Sequence, residues 1–365
     1  MEKPIPSQEF SYDSLSKASK TKEVRRSLIQ KSFRDGLESV TIENDYLKAT
    51  FLPEVGGKMI RLMNVKTGNE FLLESQLVNR SYQRAYYGAD FAKFDVSGFD
   101  DCFPTIAASP YRSLSSADRL YDIGFPDHGE LWSRPWEYNF DGKEISFSIE
   151  GIKANYRFER KARMEENKLI LSYALTNLSN EPFSYLWSAH PLLKIHAGDR
   201  LFLPRSVTRV LLDWVSDKEI GKHGDIAPWP FLSRTNKEIN YAEVQDKTMA
   251  FAMKCFTERL SEGYAGLYSK EIDQSVVFEF DVGENPYLGI WLCYGGWPAD
   301  TAEKHYTVAL EPCNGRPDSL SEAVLRKECA EVEPGDTRKW SLTFSVRSGM
   351  PNEVDSNPII SVKST

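Results

Sequence analysis

YRFERKARMEENKLILSYALT, residues 156–176, reads as two β-strands joined by a tight turn. From Tyr156 to Arg163 apolar and polar side chains alternate, the period of a strand with one face on a core. Glu165-Glu166-Asn167 is the turn, and Leu169–Thr176 is the return strand. The pattern extends outward in both directions. Upstream, Lys143–Ile149 alternates with Ile145, Phe147 and Ile149 on one face. Ser39–Glu43 alternates too, Tyr46–Leu52 continues in that style, and Pro53-Glu54-Val55-Gly56-Gly57 is a turn with two glycines. Met59–Leu62, the turn Lys66-Thr67-Gly68-Asn69 and Glu70–Leu73 read as a β-hairpin. Downstream, Phe183–Trp187, Val276–Phe280, Tyr287–Leu292, Thr307–Leu310 and Trp340–Val346 are predicted strands.

Many short strands separated by turn signals, with little helical periodicity, predict an all-β chain built as an antiparallel sandwich or barrel with few short helices. No Pro/Gly/Ser linker and no internal repeat divides residues 38–348, so one β domain is expected there. Residues 1–37 are polar and read as an N-terminal arm or cap, with a helix predicted over Ser14–Phe33. Residues 349–365 read as a C-terminal tail.

Composition narrows the function. Hydrophobic residues make up 41% of the chain and charged residues 27%, the balance of a globular protein, and aromatics reach 12%. The aromatics suit a β core and also supply flat faces that could stack on sugar rings. A net charge of -8 argues against nucleic acid as a partner. No stretch of about 18 apolar residues argues for a membrane span. The N-terminal segment has no apolar signal core, and the five cysteines are odd in number and widely spaced, so a cytoplasmic protein is expected. The five histidines show no metal-ligand spacing, so no dedicated metal site is predicted. Serine-nucleophile, phosphate-loop and dinucleotide-binding motifs are absent from the sequence.

Three segments look chemical. Asp127-His128-Gly129-Glu130 is a polar loop between aromatics. In Leu186-Trp187-Ser188-Ala189-His190-Pro191 a histidine stands directly before a proline, and the proline is expected to end the strand there. In Leu310-Glu311-Pro312-Cys313-Asn314-Gly315-Arg316-Pro317-Asp318 a glutamate repeats the device. A titratable residue at a strand end can be aimed rigidly into a cleft. The bland alternative is that both side chains merely bond nearby backbone.

These segments, together with LPEVGGKMIRLMNVKTGNEFL at 52–72, occur in the order seen in aldose 1-epimerases. Over most of 38–348 the chain resembles the galactose mutarotase-like superfamily. The resemblance implies a large antiparallel β-supersandwich with a sugar in an open cleft, acted on without a cofactor. It implies that His190 is the general acid on the ring oxygen, that Glu311 is the general base on the anomeric hydroxyl, and that His128 binds the sugar beside them. Trp187, Trp291 and Trp297 could stack on the sugar, and Asp100, Asp101 and Asp127 could accept its hydroxyls. Arg84, Arg134 and Arg316 could hold an anionic substituent, although surface arginine is the ordinary state. The sugar-contacting aspartate of aldose 1-epimerases has no clear match; Asp273 and Asp281 are candidates. Asp127-His128-Gly129-Glu130 departs from the Leu-His-Gly-Gly of simple aldose 1-epimerases, and their early Gly-Arg…Asn-Arg segment has no clear counterpart, so the identity of the sugar stays open. The expected activity is interconversion of the α and β anomers of a hexose or modified hexose. Another carbohydrate-active enzyme, a lyase, isomerase or hydrolase, and a non-catalytic sugar sensor are the alternatives. The expected partner is a small carbohydrate, bound by a monomer or homodimer.

Overall fold

The computed structural model describes residues 27–351. The Tyr156–Glu165 and Lys168–Asn177 strands pair antiparallel in the expected register, with Tyr156 opposite Asn177 and Glu165 opposite Lys168. Both alternate between buried and solvent-facing residues along their length. They sit inside an 8-stranded sheet that packs one face on the core. The second sheet has 11 strands, and its centre runs Phe99–Cys102, Ser188–Leu193, Tyr306–Cys313, Tyr287–Tyr294, Phe251–Thr257. These central strands are buried on both faces, so something covers their far side. The cover is the loop-rich connection around Phe91 and Trp132, which packs on Leu192 and Ala309. Leu320–Arg326 is the one α-helix among the described residues. No helix among them is long and apolar enough to cross a membrane.

Between the sheets lies an aromatic core. Phe51 meets Phe147, Phe99 meets Phe344, and Trp187 packs against the stacked rings of Tyr173 and Trp340. Each such side chain contributes roughly 1.5–3 kcal/mol by leaving water. The same layer holds a fully buried ion pair, Arg160 Nη1 to Asp101 Oδ2 at 2.7 Å. The Arg160 guanidinium also donates to the Gly57 carbonyl, and Trp187 Nε1 donates to Asp101 Oδ1 at 3.0 Å. The pair clamps one sheet to the other.

Three expectations change. The helix predicted over Ser14–Phe33 is a strand from Leu28 to Arg34, paired with Leu37–Glu43 in the larger sheet, so the sheet starts before residue 38. Pairing with a formed strand edge outweighs a thin apolar stripe. The remainder of that stretch, residues 14–26, lies outside the described residues, as do residues 352–365 of the expected tail. Pro191 and Pro312 do not end their strands; Ser188–Leu193 and Tyr306–Cys313 run straight through them. Ser188 pairs with Cys313 and Leu192 with Ala309, while the ladder is open in between, where each proline lacks an N–H. The predicted hairpin at 59–73 has its turn, with Met63 bridging Glu70, but Leu72 then bridges Leu193 instead of continuing the hairpin.

Candidate active site

Successive residues of a strand point to opposite faces, so a row of same-face residues can be followed across the larger sheet. Asp100 lies opposite His190, and the register on either side sets His190 opposite Glu311. Glu311 lies opposite Gly289, and Gly289 opposite Phe256. All of these face away from the inter-sheet core. The two prolines thus sit beside the two titratable groups, where ladder bonds are already missing. Gly289 leaves room in this row: a Cβ there would come 3.3 Å from the Glu311 side chain and from the Phe256 ring, which would have to give by a few tenths of an ångström.

The parallel row runs Leu192, Ala309, Trp291, Lys254, Trp214. A β-bulge at Asp213 brings Trp214 into this row, since Leu212 pairs with Cys255 and Trp214 already with Lys254. Above the rows lies a cavity of about 390 Å³, lined among others by Phe91, His128, His190, Lys254, Trp291 and Glu311. His128 reaches it from the Asp127-His128-Gly129 turn. His128 adopts φ 57 and its N–H donates to the Ile106 carbonyl at 2.6 Å. The next residue, at φ 76, must be glycine, because a Cβ would collide with the Phe103 carbonyl. The His128 ring stacks on Phe91 at 3.9 Å and meets His190 edge-on at 5.3 Å.

His190 Nε2 is 4.0 Å from Glu311 Oε1. The other Glu311 oxygen accepts from Lys254 Nζ and from Ser188 Oγ at 3.3 Å. Lys254 also lies 3.5 Å from Asp318 Oδ1. Glu311 Oε1 and His190 Nδ1 are buried and have no hydrogen-bond partner within the protein. Burial pushes the His190 imidazole well below its ordinary pKa, and the neighbouring His128, Lys254 and Lys58 push the same way. Burial alone would lower Lys254, but Asp318 and Glu311 overcome it and hold the ammonium charged. Burial pushes Asp213 up to about 7, with the neighbouring Asp318 adding to the effect. Burial raises Asp318 in turn, against the pull of Lys254.

The fold also gathers Cys102, His128 and His190, with donor atoms within 4.8 Å of one another, a set that no sequence spacing displays. Burial, with Glu311 nearby, pushes the Cys102 thiol well up.

A family model described as a domain of unknown function, DUF5107, matches residues 24–123. No curated protein matches the sequence. Among solved structures, a Synechocystis sp. PCC 6803 protein superposes with a TM-score of 0.62 at 15% identity, over 89% of this chain and 97% of its own. A galactose mutarotase-like protein from Clostridium acetobutylicum gives 0.62 at 14% identity, over 88% and 99%. A galactose mutarotase related enzyme from Lactobacillus acidophilus gives 0.59 at 15% identity, over 85% and 97%. The chain has the galactose mutarotase-like fold.

On this mutarotase-like scaffold the residues singled out in the sequence divide. His190, Glu311, His128, Asp127, Trp291 and Trp297 meet around the cavity. Asp127 contacts His128 Nδ1 at 3.1 Å; burial pushes its carboxyl up, but that partner holds it below the usual range. Asp100 faces the same side but is occupied by Lys58 Nζ at 2.6 Å. Asp101 and Trp187 belong to the inter-sheet core, because alternation turns them away from His190. Arg84 pairs with Glu54 and is exposed. Arg134 donates to the Glu150 carbonyl at 2.7 Å, and Arg316 is held by Glu328 at 2.9 Å and the Thr257 carbonyl at 2.7 Å. None of the three lines the cavity. Asp273 and Asp281 serve turns, accepting from Tyr268 and from the Gly283 N–H. Sequence reasoning missed Lys254, Asp318, Phe91 and Trp214. Lys254 had a signal: a lysine in the otherwise apolar run Phe251–Thr257 is buried only with a partner. Phe91, on a loop with no periodicity, had none.

Proposed function

We propose that the protein is a mutarotase acting on a neutral aldose. The observation that carries this reading is the pair His190 and Glu311, 4.0 Å apart, each with a buried atom left unpartnered beside an aromatic-walled cavity. Glu311 takes the proton of the C1 hydroxyl. The bond from C1 to the ring oxygen breaks, C1 becomes an aldehyde, and the ring oxygen takes a proton from His190. After rotation about C1–C2 the steps reverse on the other face. Each of two such groups contributes roughly 10²–10⁴-fold. Lys254 holds the Glu311 carboxylate in place through its other oxygen. The reading of the substrate as neutral rests on charge. The arginines that could have held an anionic substituent are engaged elsewhere, and the site lysines Lys254 and Lys58 already face carboxylates.

The test is anomer exchange by saturation-transfer NMR with a panel of neutral, acidic and phosphorylated aldoses, and Glu311→Ala as control. Fast exchange confined to neutral aldoses and lost in the variant is expected. Exchange no faster than in buffer for every sugar would remove the proposal.

A further inference from the structure

We infer that the natural ligand is an oligosaccharide whose reducing end enters the acid–base cavity, with its next unit lying on Trp214; this rests on the carbohydrate reading above. Three indoles form a continuous wall beside the catalytic row. The rings of Trp297 and Trp291 are 5.8 Å apart, and those of Trp291 and Trp214 are 5.9 Å apart. All three line the same cavity as His190 and Glu311, so the wall is continuous with the candidate site. The flat C–H face of one pyranose covers one indole, so a monosaccharide seated at Glu311 leaves the wall largely bare.

Trp214, farthest along the wall from Trp297, is 39% exposed. A ligand that covered this indole would remove apolar surface from water. Its place is also not a by-product of regular pairing. Without the bulge, regular pairing would set Asp213 opposite Lys254 and Trp214 would point to the other face. The bulge spends a ladder position to set an aromatic ring on the cavity side, a use bulges have beside binding sites. The wall carries no charge of its own, and Lys254 beneath it is committed to Glu311 and Asp318. Trp291 and Trp214 are tilted by 38° and Trp297 stands edge-on to Trp291 at 88°, so each ring presents its own apolar face. An uncharged glycan unit on Trp214 is the occupant that matches an apolar, uncharged surface extending from a sugar-sized acid–base site.

The experiment measures anomer exchange at the reducing end, and binding by titration calorimetry, for mono-, di- and trisaccharides of the gluco, galacto and manno series. Wild type, Trp214→Ala and Trp214→Tyr are compared; Trp214 is exposed, so neither change empties the core. In at least one series, kcat/KM is expected to rise about tenfold or more from mono- to trisaccharide, the size of one stacking contact. Trp214→Ala is expected to lower the trisaccharide value about tenfold more than the monosaccharide value, and Trp214→Tyr to restore most of the difference. Equal handling of all lengths in every series, or an equal loss in Trp214→Ala for all lengths, would overturn the inference. Affinity that rises with length and falls in Trp214→Ala, without anomer exchange on any sugar, would uphold the platform and defeat the mutarotase reading. Binding of no sugar would defeat both.

Discussion

His190 Nε2 faces Glu311 Oε1 at 4.0 Å across two neighbouring strands whose ladder is interrupted by a proline beside each residue. As the proposed acid and base, two groups held this way would act as a unit. Glu311→Gln and His190→Asn are each expected to lower kcat by roughly 10²–10⁴-fold. The double variant is expected to be little worse than the poorer single one, because half a proton relay does no more than none. Exchange NMR on the three proteins checks both points. Additive losses would mean that the residues act separately.

If His190 is the acid, as proposed, catalysis needs it protonated, and a pH dependence follows. Burial, then the neighbouring His128, Lys254 and Lys58, depress the His190 pKa below its ordinary 6.5. The protonated form therefore grows as pH falls, and kcat/KM is expected to decline with rising pH on a limb whose midpoint lies below 6.5. Lys254→Met removes one of the depressing charges, so the limb moves to higher pH even as the total rate drops. A pH–rate profile on free enzyme reads both shifts. A midpoint above 7 in the wild type would exclude His190 as the acid.

Much of this was legible from sequence, and the failures have a common cause. Alternation in Tyr156–Thr176 gave the sheet because one face of those strands meets water. It was silent in Phe251–Thr257 and Ser188–Leu193, which are buried on both faces, so Lys254 could not be assigned a direction. Asp100 and Asp101 are neighbours in sequence and looked equivalent. One faces Lys58 on the cavity side, and the other faces Arg160 in the core. Which is which depends on register, and register follows from pairing with strands distant in sequence. His190 and Glu311 do lie together at the cavity, but the strand-end argument that drew attention to them fails: their prolines mark a gap within the ladder, not the end of a strand.

The placement of Asp101 has a measurable consequence. Arg160→Met would leave its carboxylate buried without a counter-ion and lose the tie to Gly57, costing roughly 3–5 kcal/mol. Asp101→Asn keeps an acceptor for Trp187 and is expected to cost less. Neither residue touches the cavity, so KM in the molecules that remain folded is expected to stay near wild type. Denaturant unfolding and exchange kinetics separate the two effects. A large rise in KM with unchanged stability would return Asp101 to the sugar site.

Glu70 offers a test of stability alone, away from the cavity. Its Oε1 accepts from the Leu62 N–H at 2.7 Å and the Leu72 N–H at 3.2 Å, and Arg61 lies 3.3 Å from Oε2. Burial outweighs these partners, with Glu74 adding to it, and pushes the carboxyl from 4.5 to about 7. The native state thus favours the protonated form. Its contribution to stability is complete below the unfolded pKa, declines as pH rises toward 7, and is gone above that. Glu70→Gln keeps an acceptor for both N–H groups and has no charge to bury. The stability of the variant relative to wild type is therefore expected to rise by roughly 2–3 kcal/mol between pH 5 and pH 8. Urea unfolding of both proteins at the two pH values measures it. A gap that stays constant, or narrows as pH rises, would show that Glu70 is ionised in the folded protein at no cost.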